Sequence, residues 1–142
     1  MPKKNCKLRY ASRQVLLGEE TERTMEVWGT WDFEKKSLKF KENISDDDNT
    51  IEVETTFLFL KDHIRVYRDG ELTFSFDDKK MTETVYNTPY GPMKMTIKTK
   101  QSGHELSENR GTVYIEYDIY FDKEVKSDCT YGLKFEVDPE ER

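Results

Sequence analysis

The stretch Tyr86-Asn87-Thr88-Pro89-Tyr90-Gly91 combines turn-forming residues with two aromatic rings and marks the sharpest corner in the chain. Pro89 fixes its own φ angle and pushes Thr88 into an extended conformation, while Gly91 supplies the freedom that a tight turn needs. Strand-like residues precede the corner. After it, strict alternation places one set of side chains on a single face: Met93, Met95, Ile97 and Thr99. We therefore predict that the corner joins two strands of a larger β-structure.

Similar alternation recurs through the rest of the chain, and no segment has the 3.6-residue period of a helix. The strand-like runs are Lys3–Leu17, Met25–Phe33, Leu38–Glu42, Ile51–Leu60, Ile64–Arg68, Leu72–Phe76, Met81–Tyr86, Val113–Phe121 and Cys129–Val137. Asp69-Gly70 predicts a hairpin turn, because a type I′ turn needs positive φ angles. Such a series of strands fits a barrel or a sandwich, and the absence of helices favours an all-β fold with a single antiparallel up-and-down barrel of about 8–10 strands.

The length of 142 residues suits one domain, residues 1–142, whose last residues, 138–142, are expected to fray. Gly29 lies inside a strand-like run, where glycine usually marks a bend or a close approach of another chain segment. The polar residues from Gln101 to Gly111 are expected to form a loop.

Composition excludes several classes of partner. Charged residues make up 37% of the chain and its net charge is −6, which argues against a nucleic-acid partner because such proteins present a basic surface. No apolar run approaches the ~20 residues that cross a membrane, and we expect no membrane partner. The cysteines, Cys6 and Cys129, lie near opposite ends of the chain and the N-terminal residues lack a signal-peptide pattern. We therefore expect a cytoplasmic protein with two reduced thiols.

No catalytic motif is recognisable. His63 and His104 are far apart in sequence and neither belongs to a known signature, so we expect no catalytic residues. There is no glycine-rich phosphate loop and no zinc-binding pattern, so we expect no cofactor and no metal site.

The clearest candidates for a binding site are Glu42 and Arg68, because each continues an alternating set of apolar residues and should point into the barrel. A guanidinium inside a barrel can bind an anionic group such as a carboxylate or a phosphate. Aromatic and hydroxyl side chains would add to such a site: Tyr86, Thr88, Tyr90 and Tyr117. The alternative is structural, with Arg68 and Glu42 paired to plug one end of the barrel.

A second set of residues is apolar or aromatic on the face expected to point outward: Trp28, Leu58, Leu60, Tyr114 and Tyr120. Aromatic residues on an outer surface are enriched at protein interfaces. These residues are candidates for a homodimer or partner interface.

Several motifs in this order resemble the YwiB-like family of small bacterial proteins: Trp28-Gly29-Thr30, Arg68-Asp69-Gly70, Phe74 with Phe76, Tyr86 to Gly91, the alternating strand that ends in Thr99, and Tyr117. The resemblance implies a β-barrel of lipocalin-like (calycin) architecture with no established reaction or ligand. It also places the recurrent positions of the family on Gly29, Glu42, Arg68, Gly70, Tyr86, Thr88, Pro89, Tyr90, Gly91 and Tyr117. None of these is a known catalytic residue of the family.

Two functions follow as expectations. The first is a binding module for a small anionic or amphipathic ligand inside the barrel. The alternative is a protein–protein interaction module or homodimer whose lumen is filled by side chains. An empty cavity of about 300 Å³ or more that contains Arg68 would favour the first.

Overall fold

The structure is a computed structural model that describes residues 3–46, 49–88, 91–121 and 125–142. It contains ten strands: β1 (Lys4–Leu16), β2 (Glu19–Asp32), β3 (Ser37–Asp46), β4 (Asn49–Phe59), β5 (Ile64–Arg68), β6 (Glu71–Phe76), β7 (Thr82–Thr88), β8 (Gly91–Leu106), β9 (Arg110–Phe121) and β10 (Val125–Val137). All pairs are antiparallel and the described residues contain no α-helix. The predicted fold, an up-and-down antiparallel barrel, is confirmed.

The strands form one sheet in the order β6-β5-β4-β3-β2-β1-β10-β9-β8-β7. The first and last strands of the chain therefore pair, and the remaining seam lies between β6 and β7. No backbone ladder joins those two strands among the described residues, but the Thr82 hydroxyl donates a hydrogen bond of 2.7 Å to the Ser75 carbonyl. The sheet is thus a nearly closed barrel.

Two hairpin turns follow from residues that tolerate positive φ angles. Asp69 and Gly70 have φ angles of 50° and 83°, as a type I′ turn requires, so the predicted hairpin is confirmed. At the corner from Tyr86 to Gly91, β7 ends at Thr88 and pairs there with Gly91, whose φ is 114°. The other two residues of that corner, Pro89 and Tyr90, lie outside the described residues.

The predicted loop from Gln101 to Gly111 is wrong. β8 continues to Leu106 and β9 already begins at Arg110, so His104 lies on a strand opposite Val113. The pairing of β8 with β9 shifts register between Thr99 and Gln101, which leaves Lys100 as an extra residue. Such a bulge reverses the alternation of inward and outward side chains, and the pattern downstream no longer matches the one upstream.

One end of the barrel is closed by aromatic side chains. The Trp31 ring lies 4.7 Å from that of Phe135 and 6.1 Å from that of Phe59, between ring centroids, and its Nε1 donates a hydrogen bond of 3.0 Å to the Ser107 carbonyl. Gly29 makes the close approach expected of it, because a Cβ there would lie 2.5 Å from the Lys39 carbonyl oxygen. These contacts anchor the core at what we call the closed end.

The opposite end is more open because β2 and β3 separate. Among the described residues, these strands pair only from Gly29 with Phe40 to Asp32 with Ser37. The earlier part of β2, 19–28, and the later part of β3, 41–46, are not paired with each other. We call this the open end of the barrel.

The chain termini are tied together. Residues 138–142, which we expected to fray, include a short 3-10 helix, Pro139–Glu141, and the Glu141 carboxylate accepts a 2.8 Å hydrogen bond from the Asn5 amide.

The two cysteines lie far apart although β1 pairs with β10, because Cys6 lies opposite Val137 and Cys129 lies opposite Gln14. The two cysteines are therefore eight residues apart along the paired strands, a distance of about 26 Å. Both thiols are free and buried.

No helix among the described residues is long and apolar enough to cross a membrane.

Candidate functional site

The lumen contains a cavity of about 460 Å³ near the open end. Most of the polar side chains that line it come from β1 to β5, and the aromatic and aliphatic ones come from β1, β4, β5, β6, β8, β9 and β10. The cavity therefore has a charged part and an apolar part within one enclosure.

The charged part is built around Glu42, which is only 5% exposed. Alternation along β3 carries its side chain inward after Leu38 and Phe40. The Thr55 hydroxyl on the neighbouring strand donates a hydrogen bond of 3.0 Å to Glu42 Oε2. One carboxylate oxygen is thus held by the barrel wall, and Oε1 faces the arginines.

Two arginines approach that oxygen from different strands. Arg23 Nη1 on β2 lies 3.5 Å from Glu42 Oε1, and Arg68 Nη2 on β5 lies 3.9 Å from it. Arg23 also donates through Nη2 to the Asn43 carbonyl, so its side chain bridges the separated strands β2 and β3. These distances describe loose ion pairs rather than short charge-assisted hydrogen bonds. We call Arg23, Glu42 and Arg68 the charged cluster.

Each guanidinium group of the cluster lies over an aromatic ring. The Arg68 guanidinium lies 5.5 Å from the Phe74 ring centroid, and that of Arg23 lies 5.6 Å from the centroid of Tyr10. Each distance suits a cation–π contact. The two arginine side chains remain about one-third exposed, at 38% for Arg23 and 33% for Arg68.

Two buried polar atoms at the charged cluster have no hydrogen-bond partner in the part of the chain that the structure describes. Among the described residues that line the cavity, Tyr10 Oη and Arg68 Nε are buried without a hydrogen bond to the protein. Burial and the nearby Glu42 carboxylate raise the pKa of Tyr10 to about 12, against the opposing effect of both arginines. Tyr10 therefore stays a neutral hydroxyl that can donate a hydrogen bond into this part of the lumen.

The apolar part of the cavity is lined by rings and flexible side chains. Tyr131 stacks between Tyr10 and Phe57, with centroid distances of 5.3 Å and 5.6 Å. The centroid of the Tyr117 ring lies 4.7 Å from that of Phe76, and Tyr117 sits opposite Cys129 on the paired strand. Aliphatic side chains complete this lining: Val66, Met95, Ile115 and Ile119.

The structure brings together three of the residues that the sequence nominated, since Glu42, Arg68 and Tyr117 all line this cavity. Tyr86 and Thr88 lie on β7, where their backbones pair with Met93 and Gly91. Their side chains are not among those described, and Tyr90 lies outside the described residues altogether.

Sequence reasoning missed Arg23, although a signal for it exists. Arg23 is two residues from Met25 and four from Val27, so all three side chains lie on the same face of the strand. The same alternation placed Arg68 on an inward face. The second strand was expected to begin at Met25, whereas β2 begins at Glu19. The roles of Thr55 and Tyr10 beside Glu42 depend on strand pairing, which alternation alone does not reveal.

The residues nominated for an interface all lie away from the cavity. Trp28 is 58% exposed and Tyr114 is 45% exposed, while the other three are half-buried: Leu58, Leu60 and Tyr120. The two histidines do not line the cavity either. His63 Nδ1 lies 2.8 Å from Asp62 Oδ1, and the His104 ring packs 5.5 Å from Phe59.

Comparisons with known proteins agree with the resemblance noted in the sequence. A family model described as "Domain of unknown function (DUF1934)" matches residues 10–133. The crystal structure of the ywiB protein from Bacillus subtilis superimposes with a TM-score of 0.77, covering 96% of this chain and 93% of that one. The two sequences are 17% identical, so this likeness concerns the fold. No curated protein matches the chain.

Proposed function

The chain belongs to the DUF1934 family of domains of unknown function, and we propose that its barrel is a binding module for a small ligand with an anionic group and an apolar body. The anionic group lies between Arg23 and Arg68 at the open end, and the apolar body extends among the rings and aliphatic side chains of the lumen. The proposal also includes the cytoplasmic location that the sequence suggested and the lipocalin-like (calycin) architecture that the family resemblance implies.

The observation that carries this proposal is the cavity itself. Its volume of about 460 Å³ exceeds the threshold set for a binding lumen and is within the range of pockets that enclose small molecules. A lumen that served only as a core would be filled by side chains, because protein interiors pack as densely as organic crystals.

The composition of the lining supports an amphipathic anion. A neutral apolar molecule would leave the guanidinium groups of Arg23 and Arg68 facing it. A small hydrophilic anion would not use the rings of Phe76 and Tyr131. A ligand with a charged head and an apolar body satisfies both parts of the cavity. Tyr117 on the wall, and Tyr86, Thr88 and Tyr90 at the predicted corner, are further candidate contacts.

Calorimetric titration with decanoate tests the proposal. We expect saturable binding of one molecule to the wild-type protein, and a loss of affinity of about 10-fold to 100-fold in each of Arg68→Gln and Arg23→Gln, the usual effect of losing a hydrogen bond to a charged group. Arg9→Gln is the matched control, because Arg9 lies on the outer face of β1 and pairs with Glu26 at 2.7 Å. Absence of saturable binding, or an equal loss in the Arg9 variant, would refute the proposal.

A second candidate function rests on the outer face. Trp28 and Tyr114 are large aromatic residues with substantial exposure, which suits a homodimer or a protein partner. Native mass spectrometry separates the two candidates. A dimer without any small-molecule adduct favours the interaction module, whereas a monomer that carries a small adduct, lost in Arg68→Gln, favours ligand binding.

A further inference from the structure

The charged cluster also has features that discriminate between anions. We propose that the lumen selects a ligand head with a single negative charge, a carboxylate in preference to a phosphate monoester, and that Glu42 sets this selectivity. This inference rests on the proposed function and specifies the class of ligand.

The first argument is the balance of charge. The cluster combines the two guanidinium groups of Arg23 and Arg68 with the single carboxylate of Glu42, which leaves one positive charge unmatched. The third arginine that lines the cavity, Arg13, is already paired with Glu20 at 2.6 Å and does not change this balance. About two-thirds of each arginine side chain in the cluster is removed from water, which makes that unmatched charge unfavourable. One negative charge on a ligand completes the balance, whereas two would leave an excess beside Glu42.

The second argument is the balance of hydrogen-bond donors and acceptors. Thr55 already donates to Glu42 Oε2, and the Asn43 carbonyl already accepts from Arg23. Arg68 Nε and the Tyr10 hydroxyl are buried donors that lack an acceptor among the described residues. A carboxylate brings two acceptor oxygens and no donor, and its planar shape matches a guanidinium.

The third argument is the position of Glu42. The Glu42 side chain is only 4% exposed, so solvent and salt screen its charge weakly. A ligand head that contacts both arginines must come close to Glu42 Oε1, since both guanidinium groups lie within 3.9 Å of that atom. The repulsion from Glu42 rises with each negative charge that the head carries, which penalises a dianion.

The test uses four probes with the same ten-carbon chain: decanoate, decyl sulfate, decyl phosphate and decanol. A phosphate monoester carries nearly two charges at pH 7.5, since its second pKa is about 6, whereas a sulfate carries one at any pH of interest. At pH 7.5 we expect the wild-type protein to bind decanoate and decyl sulfate at least about 10-fold more tightly than decyl phosphate or decanol.

Glu42→Gln removes the charge and keeps a similar shape, and we expect it to reduce the preference for decanoate over decyl phosphate by at least about 10-fold. Glu26→Gln is the matched control, because Glu26 lies on the outer face of β2 and pairs with Lys7 at 2.8 Å. That variant should keep the wild-type ratio.

A pH series on the wild-type protein provides a measurement that does not depend on the Glu42 variant folding. Lowering the pH from 8 to 5.5 converts decyl phosphate largely to a monoanion, so its affinity should approach that of decyl sulfate. Equal binding of decyl sulfate and decyl phosphate at pH 8 would overturn the selectivity and leave the proposed function intact. Failure of every probe to bind would overturn both.

Discussion

Buried thiols and phenols are a prominent feature of this barrel at the scale of single residues. Burial raises the pKa of Cys6 from 9.0 to about 12 and, together with the Glu42 charge, that of Tyr10 from 10.0 to about 12. Burial also raises the pKa values of three neighbours in the lumen: Tyr117, Cys129 and Tyr131. Each group keeps its proton in the folded state at a pH where the unfolded chain has lost it.

We therefore predict that the free energy of unfolding falls as the pH rises above about 9. Above that pH the unfolded chain binds fewer protons than the folded one, and each such group lowers stability by up to about 1.4 kcal/mol per pH unit until its folded-state pKa is reached. Urea unfolding between pH 7 and pH 11 measures this. Tyr131→Phe should flatten the slope above pH 10, and Tyr114→Phe, on the outer face, should not. Constant stability up to pH 11 would contradict the prediction.

The alternation of inward and outward side chains along a strand explains which lumen residues could be predicted from the sequence and which could not. Glu42 and Arg68 could be placed in the lumen because apolar residues with the same parity precede each of them. Arg23 precedes the apolar residues of its strand. No apolar residue on its N-terminal side therefore indicates which face of the strand its side chain occupies. The contact of Thr55 with Glu42 lies across a strand pair and leaves no local trace in the sequence.

Glycines show how tightly the strands approach each other at the scale of the elements. A Cβ on Gly29 would lie 2.5 Å from the Lys39 carbonyl oxygen and 2.8 Å from Leu8 Cδ1, where β1, β2 and β3 meet. A Cβ on Gly111 would collide with the Phe135 ring, whereas one on Gly132 would meet nothing within 4 Å. The first two glycines are therefore required by packing, and the third is not.

We predict that Gly29→Ala and Gly111→Ala each lower the free energy of unfolding by about 1–3 kcal/mol, the usual cost of overpacking. Gly132→Ala should be neutral or stabilising by up to about 1 kcal/mol, because alanine restricts the unfolded chain without a clash. Urea unfolding of the three variants measures these changes. Similar losses in all three would show that the close approaches do not determine the effect.

The first and last residues of a strand were predictable where one face of the strand is buried and the other is exposed to solvent. The prediction failed where that contrast disappears. Residues 19–24 of β2 border the open end, so apolar residues do not alternate there, and the start of the strand was placed too late. Beyond Thr99, the bulge at Lys100 reverses the alternation, and half of β8 was interpreted as a loop.

The whole molecule depends on pairings that no local pattern encodes. Alternation indicates which face of a strand is buried but not which strand lies beside it. The predicted up-and-down barrel implied that the first and last strands pair, whereas the position of the seam between β6 and β7 came from the structure alone. The same holds for the cavity, since its volume depends on how far Phe57, Tyr131 and Ile115 reach across the lumen.

The central claim is that this lumen, rather than the outer surface, receives the ligand, and the methionine methyl groups distinguish these places. Met95 lines the cavity and is 5% exposed, whereas Met81 is 57% exposed on the surface. NMR spectra of protein labelled with ¹³C at the methionine methyls, recorded during a decanoate titration, report both sites at once. We predict a saturable shift of the Met95 resonance with that of Met81 unchanged, and loss of the Met95 shift in Arg68→Gln at the same decanoate concentrations. A saturable shift at Met81 with Met95 unmoved would place binding outside the barrel and contradict the account.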